Sequence, residues 1–282
     1  MERRIAIVTD STSDLAPEVQ MAHGITVIPL NVHVGDQTFR DGVDIHHEEF
    51  MELMASEQLP TTSQPSSGAF ETTFRHLATT HDAIVCVLIS SRLSGTVQSA
   101  TIAADAVSDL IPVEIVDTQN VSYALGFQSL RAAELADSGL TAQDISATLR
   151  SEIDLYHIVF FVETLEHLRR GGRIGKAAQL LGSLLQLRPL LQVEGGQVVP
   201  FERTRTRSRA ITALADFAND MNTVERLAVL YNTTPDEGAA LAERVSNVPI
   251  DRDIPLVPFG PVISTHVGPG VLGIALKETK RA

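Results

Sequence analysis

Short apolar segments and amphipathic segments alternate along the first part of the chain. Four apolar segments are expected to form strands: Ile5–Thr9, Thr26–Leu30, Ala83–Ile89 and Val113–Val116. Five segments have apolar residues at helical spacing: Glu48–Glu57, Gly68–Thr79, Gly95–Leu110, Ser122–Ser138 and Ala142–Asp154, the last preceded by a predicted N-cap at Thr141. This alternation is typical of βα units around a mainly parallel sheet. We therefore predict an α/β domain over residues 1–160.

The pattern changes after the apolar segment Ile158–Val162, where glycine residues become frequent. Two strand-like segments, Leu190–Val193 and Gln197–Phe201, lie on either side of Gly195 and Gly196, which is typical of a hairpin. The remaining predicted elements are the helices Ser208–Met221 and Asp236–Val245 and the strands Leu227–Tyr231 and Gly270–Leu276. This order predicts a second α/β domain over residues 161–282.

Composition narrows the class of protein. The 282 residues, 44% of them hydrophobic, are sufficient for two buried cores. The net charge of −13 repels nucleic-acid phosphates, so we expect no nucleic-acid partner. Cys86 lies in an apolar segment and is interpreted as a core residue. The apolar stretch Ile5–Val8 is too short for a signal peptide and no segment reaches the length of a membrane span, so a cytoplasmic protein is expected.

Three clusters of hydroxyl side chains lie next to predicted strands or helices: Thr9–Asp14, Thr61–Ser67 and Ser90–Thr96. Ser, Thr and Asp often cap helices, so capping explains each cluster taken alone. The third cluster directly follows the buried strand at residues 83–89, and Gly95 permits close backbone approach where a helix begins. Its hydroxyl and N–H groups therefore have the outline of an anion pocket.

Two basic segments leave two interpretations open. Residues 168–176 gather Arg169, Arg170, Arg173 and Lys176 around three glycines, but the glycine spacing of a P-loop is absent. Residues 203–209 alternate arginine with Thr and Ser. Each segment is either a solvated basic surface or a contact for an anion or a partner.

Histidine residues raise the questions of a metal site and of a catalytic base. His46 and His47 lack metal-site spacing and begin a predicted helix, so no metal is expected. His266 is predicted on a turn, and with Ser94 it could serve an acyl hydrolase or acyltransferase. The absence of a G-x-S-x-G motif weakens this alternative without excluding it. An interaction or nucleic-acid module built on residues 203–209 is a third interpretation, which the acidic total disfavours.

Six ordered motifs together resemble the DegV family, the bacterial fatty-acid-binding proteins. The resemblance extends from Ile5 to Lys277. It rests on Thr9–Leu15, Arg40–Ile45, Thr62–Ser66, Ser90–Thr96, Leu168–Ile174 and Thr265–Gly270. It implies a fold of two α/β domains that enclose one long-chain fatty acid, such as palmitate, between them.

The resemblance also implies roles for individual residues. Thr62 and Ser94 would hold the carboxylate, with His266 nearby. Further ligand or partner contacts are expected at Ser63, Ser91, Gly95, Thr96, Arg170, Arg173, Arg203 and Arg205. The protein would present the carboxylate to a separate ATP-dependent kinase, in lipid transport or phospholipid metabolism. It would itself be a lipid-binding protein without cofactor or metal, and not an enzyme.

Elementary energetics agree with such a carrier. Each buried methylene contributes about 0.8 kcal/mol, so ten of them contribute about 8 kcal/mol before entropic costs. A carboxylate in an apolar pocket needs donors, and two hydroxyls with a histidine supply them without a fully buried cation. If His266 were protonated, it would hold the anion more strongly at lower pH.

Overall fold

The computed structural model describes residues 4–54, 59–182, 188–221, 223–246, 248, 250 and 253–279. Its strands are β1 (Ile5–Asp10), β2 (Ile25–Ile28), β3 (Asn31–Val34), β4 (Gln37–Arg40), β5 (Thr61–Ser63), β6 (Ala83–Leu88), β7 (Val113–Asp117), β8 (Tyr156–Phe161), β9 (Arg188–Glu194), β10 (Gln197–Thr204), β11 (Val224–Tyr231), β12 (Leu256–Pro258) and β13 (Leu272–Glu278). Its helices are α1 (Pro17–Ala22), α2 (His47–Met54), α3 (Ser67–Leu77), α4 (Thr96–Ala106), α5 (Tyr123–Asp137), α6 (Ala142–Ser151), α7 (Glu166–Arg170), α8 (Arg207–Asn219), α9 (Pro235–Arg244) and α10 (Pro261–Val267).

The first sheet has the strand order β2-β1-β6-β7, and each neighbouring pair is parallel. Alternate residues of these strands face opposite sides, so Val8 and Cys86 pack with Phe70 and Phe74 of α3. Ile7 on the other side belongs to the core formed with α5. The sequence-based prediction of a mainly parallel sheet is therefore confirmed, and Cys86 is buried as expected.

The second sheet has the order β10-β9-β8-β13-β11-β12, with antiparallel pairs except between β11 and β12. Residues of α8 and α9 cover one of its faces. Its other face contributes Ile158, Phe160 and Ala275 to the same core as Ile7 and the buried residues of α5. Helix α5 therefore lies between the two sheets and contributes to a core that they share.

A third sheet was not predicted from the sequence. Strand β3 pairs antiparallel with β4 and with β5, and Thr62 lies opposite Val32. Apolar residues of this sheet pack with Phe50 of α2 and with Val262 of α10. The small sheet therefore places Thr62 beside a helix that lies about 200 residues later in the chain.

Most predicted elements are present, with ends that differ by a few residues. The hairpin at Gly195 and Gly196 and the N-cap at Thr141 are confirmed. The predicted turn at His266 is wrong, because this residue lies in α10. The predicted end of the helix at Glu57 lies outside the described residues. The division of the chain at residue 160 stays a prediction; the strands of the first sheet all precede residue 118 and those of the second all follow residue 155.

Within the described residues, no helix combines the length and the apolar character needed to cross a bilayer.

Candidate functional site

An apolar cavity lies where elements of the first and second sheets meet, and its empty volume is about 690 Å³, counted with its mouth. Its apolar lining comprises Leu30, Ile89, Leu93, Val121, Ile158, Phe160, Leu168, Val193, Val198, Phe259, Val262, Ile263 and Val267. The polar lining residues are Thr12, Thr62, Ser63, Gln64, Ser94, Arg173 and His266. A long apolar molecule with one polar end suits such a lining.

Thr62 and His266 form a direct hydrogen bond inside this cavity. The hydroxyl oxygen of Thr62 lies 2.8 Å from Nε2 of His266. Strand β5 supplies the threonine and α10 supplies the histidine, so the contact joins residues 204 positions apart. The sequence-based prediction placed these two residues at one site, and the structure brings them together.

The surroundings of His266 keep its ring neutral. Burial, followed by the positive charge of Arg173, lowers the pKa of His266 from 6.5 to about 4. The second ring nitrogen, Nδ1, is buried without a hydrogen-bond partner. Gly171 packs so closely against the ring that a side chain there would overlap it. The condition for stronger anion binding by protonated His266 is therefore not met near neutral pH.

The loop after β6 brings the hydroxyl of Ser94 to the cavity, with that of Thr96 beside it. The hydroxyl groups of Ser94 and Thr96 lie 2.8 Å apart, and Thr96 is fully buried. Ser90 anchors this loop by donating a 2.6 Å hydrogen bond to the carbonyl oxygen of Gly196 in the hairpin. Gly95 packs closely against Gln64: a Cβ at this position would lie 2.9 Å from the side-chain nitrogen of Gln64, so the end of that side chain would have to shift.

Arg173 is held against the same loop. Its Nε donates to the carbonyl oxygen of Leu93 at 3.0 Å, and Nη1 donates to the carbonyl oxygen of Gly171 at 2.6 Å. The side chain lines the cavity and also lines a neighbouring crevice together with Thr62, Arg170 and His266. A fixed positive charge therefore lies between the cavity and this crevice.

Several predicted contacts lie elsewhere or have other partners. Ser91 does not line the cavity, because its hydroxyl and N–H both bind the Asp117 carboxylate. Arg203 and Arg205 are exposed and likewise lie outside the cavity lining. A ligand or partner contact for these three residues stays a prediction. Ser63 does line the cavity, although its hydroxyl lies 2.9 Å from Nε2 of His33.

The hydroxyl clusters combine capping with cavity lining. The Asp10 carboxylate accepts hydrogen bonds from the backbone N–H groups of Thr12 and Ile89, and Ser66 caps α3. Burial raises the pKa of Asp10 to about 6. Thr12 and Gln64 line the cavity although neither was predicted as a contact. Their position within the hydroxyl clusters was the available signal.

The geometry does not support the acyl-hydrolase alternative. The hydroxyl of Ser94 lies 2.8 Å from that of Thr96, and the Nε2 atom of His266 is hydrogen-bonded to Thr62 instead. A catalytic histidine is oriented by a third group, whereas Nδ1 of His266 has no partner. In the described part of the chain, no group of three or more His, Cys, Asp or Glu residues is arranged to hold a metal ion.

The fold and cavity define a class of α/β protein with an internal apolar binding site. The model of the family described as uncharacterised protein, DegV family, matches residues 4–279. A DegV domain-containing protein from Streptomyces coelicolor is 39% identical over 99% of this chain and 100% of its own length. Protein DegV from Bacillus subtilis is 36% identical over 96% of this chain and 98% of its own. This chain belongs to the DegV family.

Solved structures give the same assignment. A fatty-acid-binding DegV family protein from Thermus thermophilus has a TM-score of 0.89 and 36% identity, covering 98% of this chain and 100% of its own. DegV from Bacillus subtilis, described as a fatty acid binding protein, has a TM-score of 0.89 and 35% identity, with the same coverage. The α/β fold predicted from the sequence is thereby confirmed.

Proposed function

We propose that this protein binds one long-chain fatty acid in the cavity and holds its carboxylate beside Thr62 and Ser94. The observation that carries the proposal is the Thr62–His266 pair within an otherwise largely apolar lining. The fatty-acid binding of two similar structures supports the choice of ligand. Burial of the acyl chain supplies most of the affinity, since each methylene contributes about 0.8 kcal/mol.

The hydrogen-bond pattern explains how neutral groups hold an anion. An unpaired N–H is more costly to bury than an unpaired acceptor, so we assign the proton of His266 to Nε2 rather than to the partnerless Nδ1. Nε2–H then donates to Thr62, which leaves the threonine proton free for a carboxylate oxygen. In the Ser94–Thr96 pair, one hydroxyl donates to the other and one proton likewise stays free. Arg173 adds a fixed positive charge nearby.

We further propose that the carboxylate is presented to a separate ATP-dependent kinase. Thr62, Arg173 and His266 line both the cavity and the neighbouring crevice, which also includes Arg170 and Leu59. A ligand carboxylate at these residues would therefore lie close to the protein surface beside two cations. The exposed Arg203 and Arg205 are available to an acidic surface of such a partner. Lipid transport or phospholipid metabolism is the proposed setting.

Titration of lipid-free protein with hexadecanoic acid and with hexadecan-1-ol tests the carboxylate site. Ser94→Ala and Thr62→Val should each weaken acid binding about tenfold, the effect of one hydrogen bond to a charged group. Alcohol binding should change little, because the acyl cavity is retained. Thr72→Val and Ser108→Ala, which alter exposed hydroxyls away from the cavity, serve as matched controls. Equal losses for acid and alcohol would contradict the assigned role.

A further inference from the structure

Helix α10 carries four residues of the cavity lining, and its position therefore sets the site. These residues are Val262, Ile263, His266 and Val267. The helix has seven residues, too few for its own hydrogen bonds to fix it in place. Its N-terminal N–H groups need partners from elsewhere in the chain.

Side chains from the first fifty residues bind the start of α10. Oδ1 of Asp14 accepts a 3.1 Å hydrogen bond from the N–H of Gly260, the residue before the helix. The carboxylate of Asp41 interacts with the N–H of Val262. Nδ1 of His47 lies 2.8 Å from the carbonyl oxygen of Phe259. Three distant side chains thus contact three residues of the short segment 259–262.

Asp14 is itself rigidly held. It has a left-handed backbone conformation with φ of 51°, and Oδ2 accepts a 2.6 Å hydrogen bond from the hydroxyl of Ser122. Ser122 also has an unusual backbone, with φ of 56° and ψ of −148°. A non-glycine residue persists in such a conformation only where its surroundings fix it. The carboxylate therefore has a defined position relative to Ser122, the residue before α5, which follows Val121 of the cavity lining.

Gly260 shows how closely the two acids approach the helix. Its φ of −64° and ψ of 165° are accessible to any residue, so the backbone alone does not require glycine. A Cβ at this position would lie 2.9 Å from Oδ1 of Asp14 and 3.6 Å from Oδ1 of Asp41. The glycine therefore leaves room for the Asp14 carboxylate and is not required by the turn.

We infer that Asp14 is a positioning residue: it fixes the start of α10 and thereby places His266 against Thr62. Asp41 and His47 act on the same segment from α2 and the loop before it. None of the three lines the cavity, so they act through the helix and not by contact with ligand. The inference concerns the geometry of the site; only its effect on affinity rests on the proposed fatty-acid function.

The test compares variants that remove, keep or displace the carboxylate oxygen that accepts the hydrogen bond from Gly260. Asp14→Ala removes the bond to Gly260, whereas Asp14→Asn keeps the Oδ1 acceptor. Gly260→Ala retains both acids but displaces the Asp14 carboxylate. Thr141→Ala removes the N-cap of α6, a helix without cavity residues, and is the matched control for loss of a cap. Ring nitrogen NMR signals of His266 in lipid-free protein report its contact with Thr62, and titration with hexadecanoic acid reports affinity.

We expect Asp14→Ala and Gly260→Ala to shift the His266 signals and to weaken acid binding about tenfold, while Asp14→Asn and Thr141→Ala leave both unchanged. If Asp14→Ala does not fold, Gly260→Ala decides by the same readout. Unchanged His266 signals in folded Asp14→Ala would overturn the inference. Shifted signals in a protein that binds no acid would support the positioning role and refute the proposed function, so the two failures are distinguishable.

Discussion

Val121→Trp should reduce the affinity for a C16–C18 fatty acid by roughly 1,000-fold. Val121 lies in the segment between β7 and α5, lines the cavity and is partly exposed. An indole at this position occupies space needed by about five methylenes, which removes about 4 kcal/mol of burial. The measurement is calorimetric titration of lipid-free protein.

The folded state of this variant needs an independent check. The added atoms enter empty space, so the melting temperature should change far less than for overpacking of a filled core. Ile102→Trp, on α4 at a side chain that is 50% exposed and outside the cavity, is the control and should bind normally. Normal binding by folded Val121→Trp would mean that the acyl chain lies elsewhere.

As the pH falls from 6.5 to 4, His266 should lower the free energy of unfolding by about 3 kcal/mol. His266→Gln should abolish this contribution. In this range the unfolded chain binds a proton at residue 266, whereas the folded protein resists protonation because burial and Arg173 lower the pKa to about 4. The free energy of unfolding therefore falls as the pH decreases, by about 1.4 kcal/mol per pH unit at most. Urea titrations of both proteins at several pH values measure the difference.

Comparison of the two proteins is essential because buried acids act in the opposite direction. Burial raises the pKa of Asp10 to about 6 and that of Asp41 to about 7. Their folded forms bind protons before the unfolded chain does, so they add stability as the pH falls from about 7 toward 3.8. Both proteins share these groups, so the difference isolates His266. Parallel stability curves would contradict a buried neutral histidine.

The sequence predicted the elements whose signals are local. Apolar runs such as Ala83–Ile89 predicted buried parallel strands, and helical spacing predicted α3 to α6. The small sheet was missed because Thr61–Ser63 consists of three polar residues that read as a loop. Helix α10 was missed because its seven residues lie between Gly260 and Gly268 within a mainly apolar segment. Both Thr62 and His266 therefore lie on elements that sequence patterns did not predict.

The candidate site was found by resemblance more than by local pattern. The contact of Thr62 with His266 depends on packing between distant segments, and no spacing rule relates residues 204 positions apart. The neutral state of His266 depends on its burial and on the proximity of Arg173. The sequence shows neither the burial nor this proximity. The role of Asp14 was hidden because an Asp before a helix is also a common cap.

Mass spectrometry of an organic extract from the purified protein tests the central claim most directly. The account predicts free C16–C18 fatty acid at close to one molecule per chain, because a single acyl chain fills the cavity. An extract without fatty acid, together with no thermal shift when such acids are added, would contradict fatty-acid binding by this protein.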